Sequence, residues 1–418
     1  MKIRELREQL LTKKIGVYEL VKSYLETIEK NKDLNAYTYI SEDVLKEANI
    51  AQEQINKGEV NILTGIPISI KDNINVSNMP TTNGSSLFTK NKIESDSAIV
   101  SNLKRAGAII LGKTNMDELA MGGTGEASFF GPSLNPHDKF RTAGGSSCGA
   151  AVSVAANLCV AAIGTDTGGS ISGPASFCGI TGYKPSHNLL DTGGVFKMVP
   201  QMDAVGPLAH SSEDCMEILY CMSGFNFDYR QEPYENLKGF SIAVIEQLLE
   251  EPIIKPLTEV IDFLKDKGAT INYVSFEEAK EEIYPYYAYS ICSKFMDENL
   301  KSHQHLLGAE ALRRLNLGRE FIKNGSFNEA VHKREILIKK SSEILSKNMF
   351  IIGPTSNFSA PKFGEDKQNI CTDWMNLVGL PNISTPMRVD GLPIGLSITS
   401  YPNMDGRILS IAHLIETW

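Results

Sequence analysis

Short apolar runs of strand length recur in this chain at residues 66–71, 108–112, 159–165, 240–245, 271–274, 349–353 and 392–399. They alternate with stretches of helical periodicity such as 96–106, 147–157, 211–223 and 253–267. That alternation restricts the fold: a strand apolar at nearly every position must be covered on both faces, and intervening helices are what cover it. The pattern predicts an α/β sheet with helices on both faces. Residues 2–57 read as helical, with Leu20, Val21, Tyr24, Leu25 and Ile28 on one face, which places N-terminal helices over about 1–60 outside the sheet. Between about 277 and 347 the pattern is almost wholly helical and rich in charge, a subregion expected to border a pocket. A chain of 418 residues with 42% hydrophobic content can bury a large core. No Pro/Gly linker and no internal repeat divides it, so one domain over 1–418 is expected.

Candidate chemistry concentrates between Gly144 and Pro174, which read GGSSCGAAVSVAANLCVAAIGTDTGGSISGP: two Gly/Ser-rich turns on either side of a small-residue apolar stretch. Glycine lets backbone N–H groups approach a reacting oxygen, and serine supplies a hydroxyl that stays inert until a base takes its proton. None of the seven histidines lies in either turn. Lys71 ends the apolar run Gly65–Ile70, where a lysine must pair, lose its proton or reach solvent along its stem. On the residues alone two readings stay open: an ion pair with Asp72 or another carboxylate, or a buried neutral base.

Lys71, Ser146 in its GGSS turn and Ser170 closing Gly164-Thr165-Asp166-Thr167-Gly168-Gly169-Ser170 together resemble the amidase signature enzymes. The intervals between the three residues match the family's. Within it, Gly65–Asn73, Gly112–Gly122 and Pro174–Gly179 are most similar to the A subunits of glutamyl-tRNA(Gln) amidotransferase. The resemblance implies a central mixed β-sheet flanked by helices. It also implies a cis peptide bond at the GGSS serine and a relay in which neutral Lys71 takes a proton from Ser146, and Ser146 one from Ser170. Ser170 would attack an amide carbonyl to form an acyl-enzyme, releasing ammonia or an amine before water attacks the ester. Backbone N–H groups of Thr167, Gly168, Gly169 and Ser170 would form the oxyanion hole. Arg314, in Arg313-Arg314-Leu315-Asn316-Leu317-Gly318, would bind the α-carboxylate of glutamine. Asn369 falls near the place of the acidic residue expected for the α-ammonium, in a segment shortened after Gly364-Glu365-Asp366. The chain departs from the pattern at Ser172 and Gly173, where the A subunits carry Arg and Gln, and around Ser293–Leu300. The substrate is therefore expected to be a small amide, glutamine for an A-subunit-like enzyme with partner subunits, or another amide for a stand-alone amidase.

Other motifs compete. Gly145-Ser146-Ser147-Cys148-Gly149 also fits the nucleophile elbow of α/β-hydrolases, which would make Ser147 the nucleophile with a downstream acid and histidine. A noncatalytic scaffold retaining the fold is a further alternative. Cys148 and Cys178 read as small buried residues rather than reactive thiols. His303-x-His305 lacks further ligands for a metal, and Gly123-x-Gly125 lacks the rest of a dinucleotide fingerprint. No metal or cofactor is expected. A net charge of −9 without a basic block argues against direct nucleic-acid binding. Seven cysteines without paired spacing suggest reduced thiols in the cytoplasm. The N-terminus reads as a charged helix rather than a signal peptide, and no apolar run reaches membrane-spanning length.

Overall fold

The computed structural model of the chain describes residues 2–90, 93–226, 234–300, 303–365, 370–389 and 391–418. In chain order its strands are β1 Tyr37–Ile40, β2 Pro67–Lys71, β3 Ile109–Thr114, β4 Leu134–Asn135, β5 Asp138–Thr142, β6 Ala161–Asp166, β7 Thr181–Lys184, β8 Ala204–Ala209, β9 Ser241–Ile245, β10 Thr270–Val274, β11 Phe350–Pro354, β12 Asn382–Pro386 and β13 Gly395–Thr399. Strands β4 and β5 form a separate two-stranded ribbon, and the other eleven form one sheet in the order β1-β3-β2-β6-β8-β7-β12-β13-β11-β9-β10. Strands β3, β2 and β6 are mutually parallel, as are β11, β9 and β10. Between these two groups the strands pair antiparallel, so the sheet is mixed.

Burial explains which strands are apolar throughout. Every residue of β2, β3, β6 and β11 is buried, as expected for strands with helices on both sides. Along β9 the alternation is visible in the two cores: Ile242 and Val244 pack into one, Ala243 and Ile245 into the other. The first core is shared with the N-terminal helices and with helices Ser212–Met222, Ile254–Asp266 and Asp405–Glu416. The second is covered by helices Tyr284–Asn299, Ala309–Asn324 and Ser326–Leu345, which occupy the segment read as helical at 277–347.

Four sheet strands differ from the sequence reading. β1 interrupts the N-terminal helical segment and pairs antiparallel with β3. β7, β8 and β12, with sequences TGYK, AVGPLA and NISTP, carry too much Gly, Pro, Thr and Ser to show as apolar runs. They are strands because their neighbours supply the hydrogen bonds and the cover.

The helix Cys148–Ala155 lies deep in the fold, with residues 148–154 all buried. Its small side chains permit that depth. A Cβ on Gly149 would lie 2.4 Å from the Ala36 carbonyl oxygen and 2.5 Å from the Asn115 nitrogen, so only glycine allows the approach.

Candidate active site

Lys71 ends β2 and Asp166 ends β6. These strands are parallel neighbours, so the chain leaves both at the same edge of the sheet, the usual place for a site in an α/β fold. Lys71 is 0% exposed. Its Nζ lies 2.8 Å from Ser146 Oγ, 2.9 Å from Ser147 Oγ, 2.8 Å from Thr165 Oγ1 and 3.3 Å from the Thr165 carbonyl oxygen. Asn73 Nδ2 donates to the same Thr165 Oγ1 at 3.0 Å.

The alternative pairing of Lys71 with Asp72 does not occur. Asp72 forms its ion pair with Lys113 instead, and Thr38 and Thr82 hydroxyls donate to its carboxylate. Lys71 thus sits among hydroxyls, and burial pulls its ammonium down from 10.5 to about 8, against the opposing influence of Asp166, Asp117 and Asp203.

Ser146 follows a cis peptide bond from Gly145. Its carbonyl accepts from Asp117 N at 3.3 Å, and the Asp117 carboxylate accepts in turn from Gly125 N and Ala127 N at 3.1 and 2.9 Å. Burial raises the Asp117 carboxyl above its usual range. The two Gly/Ser turns are tied together by Ser147 N, which donates to the Ser170 carbonyl at 3.2 Å.

The second turn is organised by Asp166. Its carboxylate accepts from Gly169 N and Ile171 N at 2.6 Å each, from Ser172 N at 3.3 Å and from Asn376 Nδ2 at 2.6 Å. Gly169 has φ +98°, which suits glycine. One expected oxyanion donor is thereby committed elsewhere, since the Gly169 N–H points at Asp166. The N–H groups of Thr167, Gly168 and Ser170 have no protein acceptor among the described residues. Thr167 Oγ1 donates to Asp203 at 2.6 Å, and that carboxylate also accepts from Met198 N and Val199 N.

Ser170 is 8% exposed and lines a cavity of about 350 Å³ together with Gly145, Gly168, Tyr284, Tyr289 and Arg314. Ser170 Oγ makes no hydrogen bond to Ser146 Oγ within 3.5 Å among the described residues. The volume is at the small end for ligand pockets, which fits a small molecule. Arg314 is 5% exposed. Its Nε donates to Glu310 Oε1 at 2.6 Å, and its guanidinium lies 5.2 Å from the Tyr289 ring centre on the cavity wall. Asn369 lies outside the described residues.

Among the described residues no histidine bonds Ser147. Its hydroxyl meets Lys71 and donates to the Thr165 carbonyl at 3.1 Å, and the residue is fully buried, so the hydrolase-elbow arrangement lacks its base. Cys148 and Cys178 are buried, and burial raises both thiols, Cys148 to about 12. Sequence reasoning passed over Thr165, Asp166, Asp117, Tyr284 and Asp373. Asp166 carried a usable signal, because an aspartate three residues before a glycine favours a side-chain-to-backbone turn. Asp373 carried none, since only folding brings it to the same cavity as Ser170.

Comparisons with known proteins agree with this arrangement. A family model described as Amidase matches residues 19–409. The glutamyl-tRNA(Gln) amidotransferase A subunit of Methylobacillus flagellatus is 33% identical over 99% of this chain and 96% of its own length. Its counterpart from Thermoanaerobacter pseudethanolicus is 34% identical over 99% of this chain and 95% of its own. Among solved structures, an amidase superimposes with a TM-score of 0.90 at 28% identity, covering 100% of this chain and 99% of that one. The A subunit of the Thermotoga maritima glutamyl-tRNA(Gln) amidotransferase gives 0.81 at 28% identity, covering 100% and 94%. The chain therefore belongs to the amidase signature family of carbon–nitrogen hydrolases.

Proposed function

We propose that this chain cleaves a small amide through a Lys71–Ser146–Ser170 relay and a seryl acyl-enzyme. The observation that carries the reading is the fully buried Lys71 Nζ, 2.8 Å from Ser146 Oγ and without a carboxylate partner among the described residues. Ser170 Oγ attacks the amide carbonyl carbon, its proton passing to Ser146 as the Ser146 proton passes to neutral Lys71. The substrate's carbonyl oxygen becomes an oxyanion received by the N–H groups of Thr167, Gly168 and Ser170. Collapse expels the amine, which takes the proton back along the relay, and water then attacks the ester. The relay requires Ser170 Oγ to come within reach of Ser146 once substrate is bound, as catalytic hydrogen bonds commonly do.

Likeness to amidotransferase A subunits supports a glutamine amidase that passes ammonia to partner subunits. A stand-alone amidase for a different small amide is the second reading, favoured by one contact. Ser172 stands where the A subunits carry Arg, and its hydroxyl is turned to Thr372 Oγ1 at 3.0 Å in a buried hydrogen bond. We infer that the chain works as one domain without a metal or cofactor. The absence of any disulfide among the described residues supports a reducing compartment, the cytoplasm. Among the described residues no helix is long and apolar enough to cross a membrane.

The experiment is a panel of amides including glutamine and asparagine, assayed for ammonia with and without candidate partner subunits. Intact-protein mass spectrometry alongside it detects the acyl-enzyme. Ammonia release that persists in Ser170→Ala overturns the reading, and absence of any acyl adduct across the panel favours a noncatalytic scaffold.

A further inference from the structure

Three of the groups at hydrogen-bond distance from Lys71 Nζ are hydroxyls, those of Ser146, Ser147 and Thr165, and the fourth is the Thr165 carbonyl oxygen at 3.3 Å. A neutral amine offers two N–H donors and a single lone pair, whereas each hydroxyl has one proton to place. The relay works only when the lone pair faces Ser146. Ser147 and Thr165 must then accept from Lys71 and send their own protons elsewhere.

Ser147 meets that condition, because its hydroxyl donates to the Thr165 carbonyl at 3.1 Å. For Thr165 the condition depends on Asn73. Among the described residues Thr165 Oγ1 has hydrogen-bond contacts only with Lys71 Nζ at 2.8 Å and the Asn73 amide at 3.0 Å. With Asn73 Nδ2 donating to it, the Thr165 proton has only the Lys71 lone pair to bond, in competition with Ser146. Asn73 Oδ1 is meanwhile buried without a donor among the described residues. Half a turn of the carboxamide about its Cβ–Cγ bond removes both conflicts: Oδ1 then accepts from Thr165, and Thr165 Oγ1 is left to accept from Lys71. The backbone of Asn73 is anchored for this contact, since the residue is 1% exposed and its carbonyl accepts from Phe196 N at 2.8 Å.

We propose that Asn73 is a positioning residue for the base: its Oδ1 takes the Thr165 hydroxyl proton, which makes Thr165 Oγ1 an acceptor for Lys71 and leaves the lysine lone pair to Ser146. The inference rests on the Lys71–Ser146–Ser170 reading and adds the group that selects which hydroxyl Lys71 deprotonates. Proton transfer then needs no rearrangement. As the Ser146 O–H bond breaks, a third N–H bond forms on Lys71 and Ser146 takes the Ser170 proton. The new ammonium donates to all three hydroxyl oxygens, and the protons of Ser147 and Thr165 already point away from it. Without Asn73, the Thr165 hydroxyl bonds the lone pair and holds Lys71 in an unproductive arrangement. A hydrogen bond of ordinary strength deciding between the two hydroxyls lowers the rate by about tenfold.

Two measurements test this. Neutron diffraction from the perdeuterated wild-type protein, in crystals held at about pH 9 where Lys71 is mostly neutral, locates the Thr165 deuteron and the deuterated end of the Asn73 amide. The deuteron is expected on the line to Asn73 Oδ1, and a deuteron directed at Lys71 Nζ overturns the proposal. This measurement stands whether or not any variant folds. The second follows acylation by stopped flow as the p-nitrophenolate burst from p-nitrophenyl acetate at the same pH, with Ser170→Ala as the blank. Asn73→Leu is expected to lower the burst rate by about tenfold, with half-saturation unchanged within about twofold. Adding Thr165→Val is expected to restore about threefold or more, because the competing hydroxyl is gone while the carbonyl of residue 165 still receives an N–H. A merely structural role for Asn73 gives the reverse, a double variant slower than Asn73→Leu, and that result overturns the proposal. Lys71→Ala is read beside them. An undiminished burst there sinks the relay, and the neutron map alone then decides the proton assignment.

Discussion

Asp72 forms its ion pair with Lys113, 3.1 Å away and equally buried, rather than with Lys71 next to it in sequence. The partition matters for chemistry, because a lysine held by a carboxylate would keep its proton. It also makes Lys113 a stability residue. Lys113→Met is expected to destabilise the fold by about 3–5 kcal/mol, because Asp72 is left charged and unpaired in the interior. Adding Asp72→Asn should recover part of the loss, since a neutral amide needs no counter-charge. Denaturant unfolding of the two variants checks this, and a single variant as stable as wild type would show that the pair adds nothing to stability.

The buried lysine sets a sign for the pH response. Burial places Lys71 at about 8, so its neutral form grows as pH rises through that value and the ammonium returns as pH falls. Acylation measured before product release should rise with pH and level off above about 9. In Lys71→Ala this limb should vanish along with most of the rate. A limb that persists unchanged in that variant belongs to another group.

The three serines are expected to separate. Ser170→Ala should eliminate the covalent adduct, and Ser146→Ala should lower acylation by about a hundredfold or more, in the range of a lost proton-transfer group. Ser147→Ala should cost less, because the Ser147 hydroxyl meets Lys71 but donates to the Thr165 carbonyl. Rapid-quench kinetics with circular dichroism controls ranks the variants. The reverse order, with Ser147 dominant, would restore the elbow arrangement.

Arg314 separates an amino-acid amide from a simple one. If its guanidinium receives a substrate carboxylate, Arg314→Ala should raise KM for glutamine by about tenfold to a hundredfold and leave a neutral aliphatic amide nearly unchanged. An equal rise for both substrates would assign Arg314 to supporting the helix Ala309–Asn324 through Glu310.

What the sequence disclosed follows the range of the interactions involved. Lys71, Ser146 and Ser170 could be picked out because each sits in a local motif whose backbone demands, glycine above all, are written in adjacent residues. The strands apolar at every position, β2, β3, β6 and β11, were equally readable. By contrast, Thr165 reaches Lys71 only because β6 pairs with β2, and Asp117 reaches Ser146 only across the fold. The four acceptor bonds of Asp166 depend on a turn geometry that composition does not specify. Short strands such as β7 and β12 stayed hidden because their neighbours, rather than their own residues, make them strands.

The parallel register of β2 against β6, with Ile70 opposite Ile163, has a bearing on how this chain can be altered. The separation between Lys71 and the turn after Asp166 is fixed by inter-strand spacing of about 4.8 Å and by side-chain alternation along each strand. Loop length does not enter it. Insertions beside the exposed Glu94 and Ser95, in the connection from β2 to β3, can therefore lengthen the route without moving Lys71. Removing a single residue inside β2 would instead turn Lys71 to the opposite face of the sheet, away from Ser146, while leaving the strand count intact.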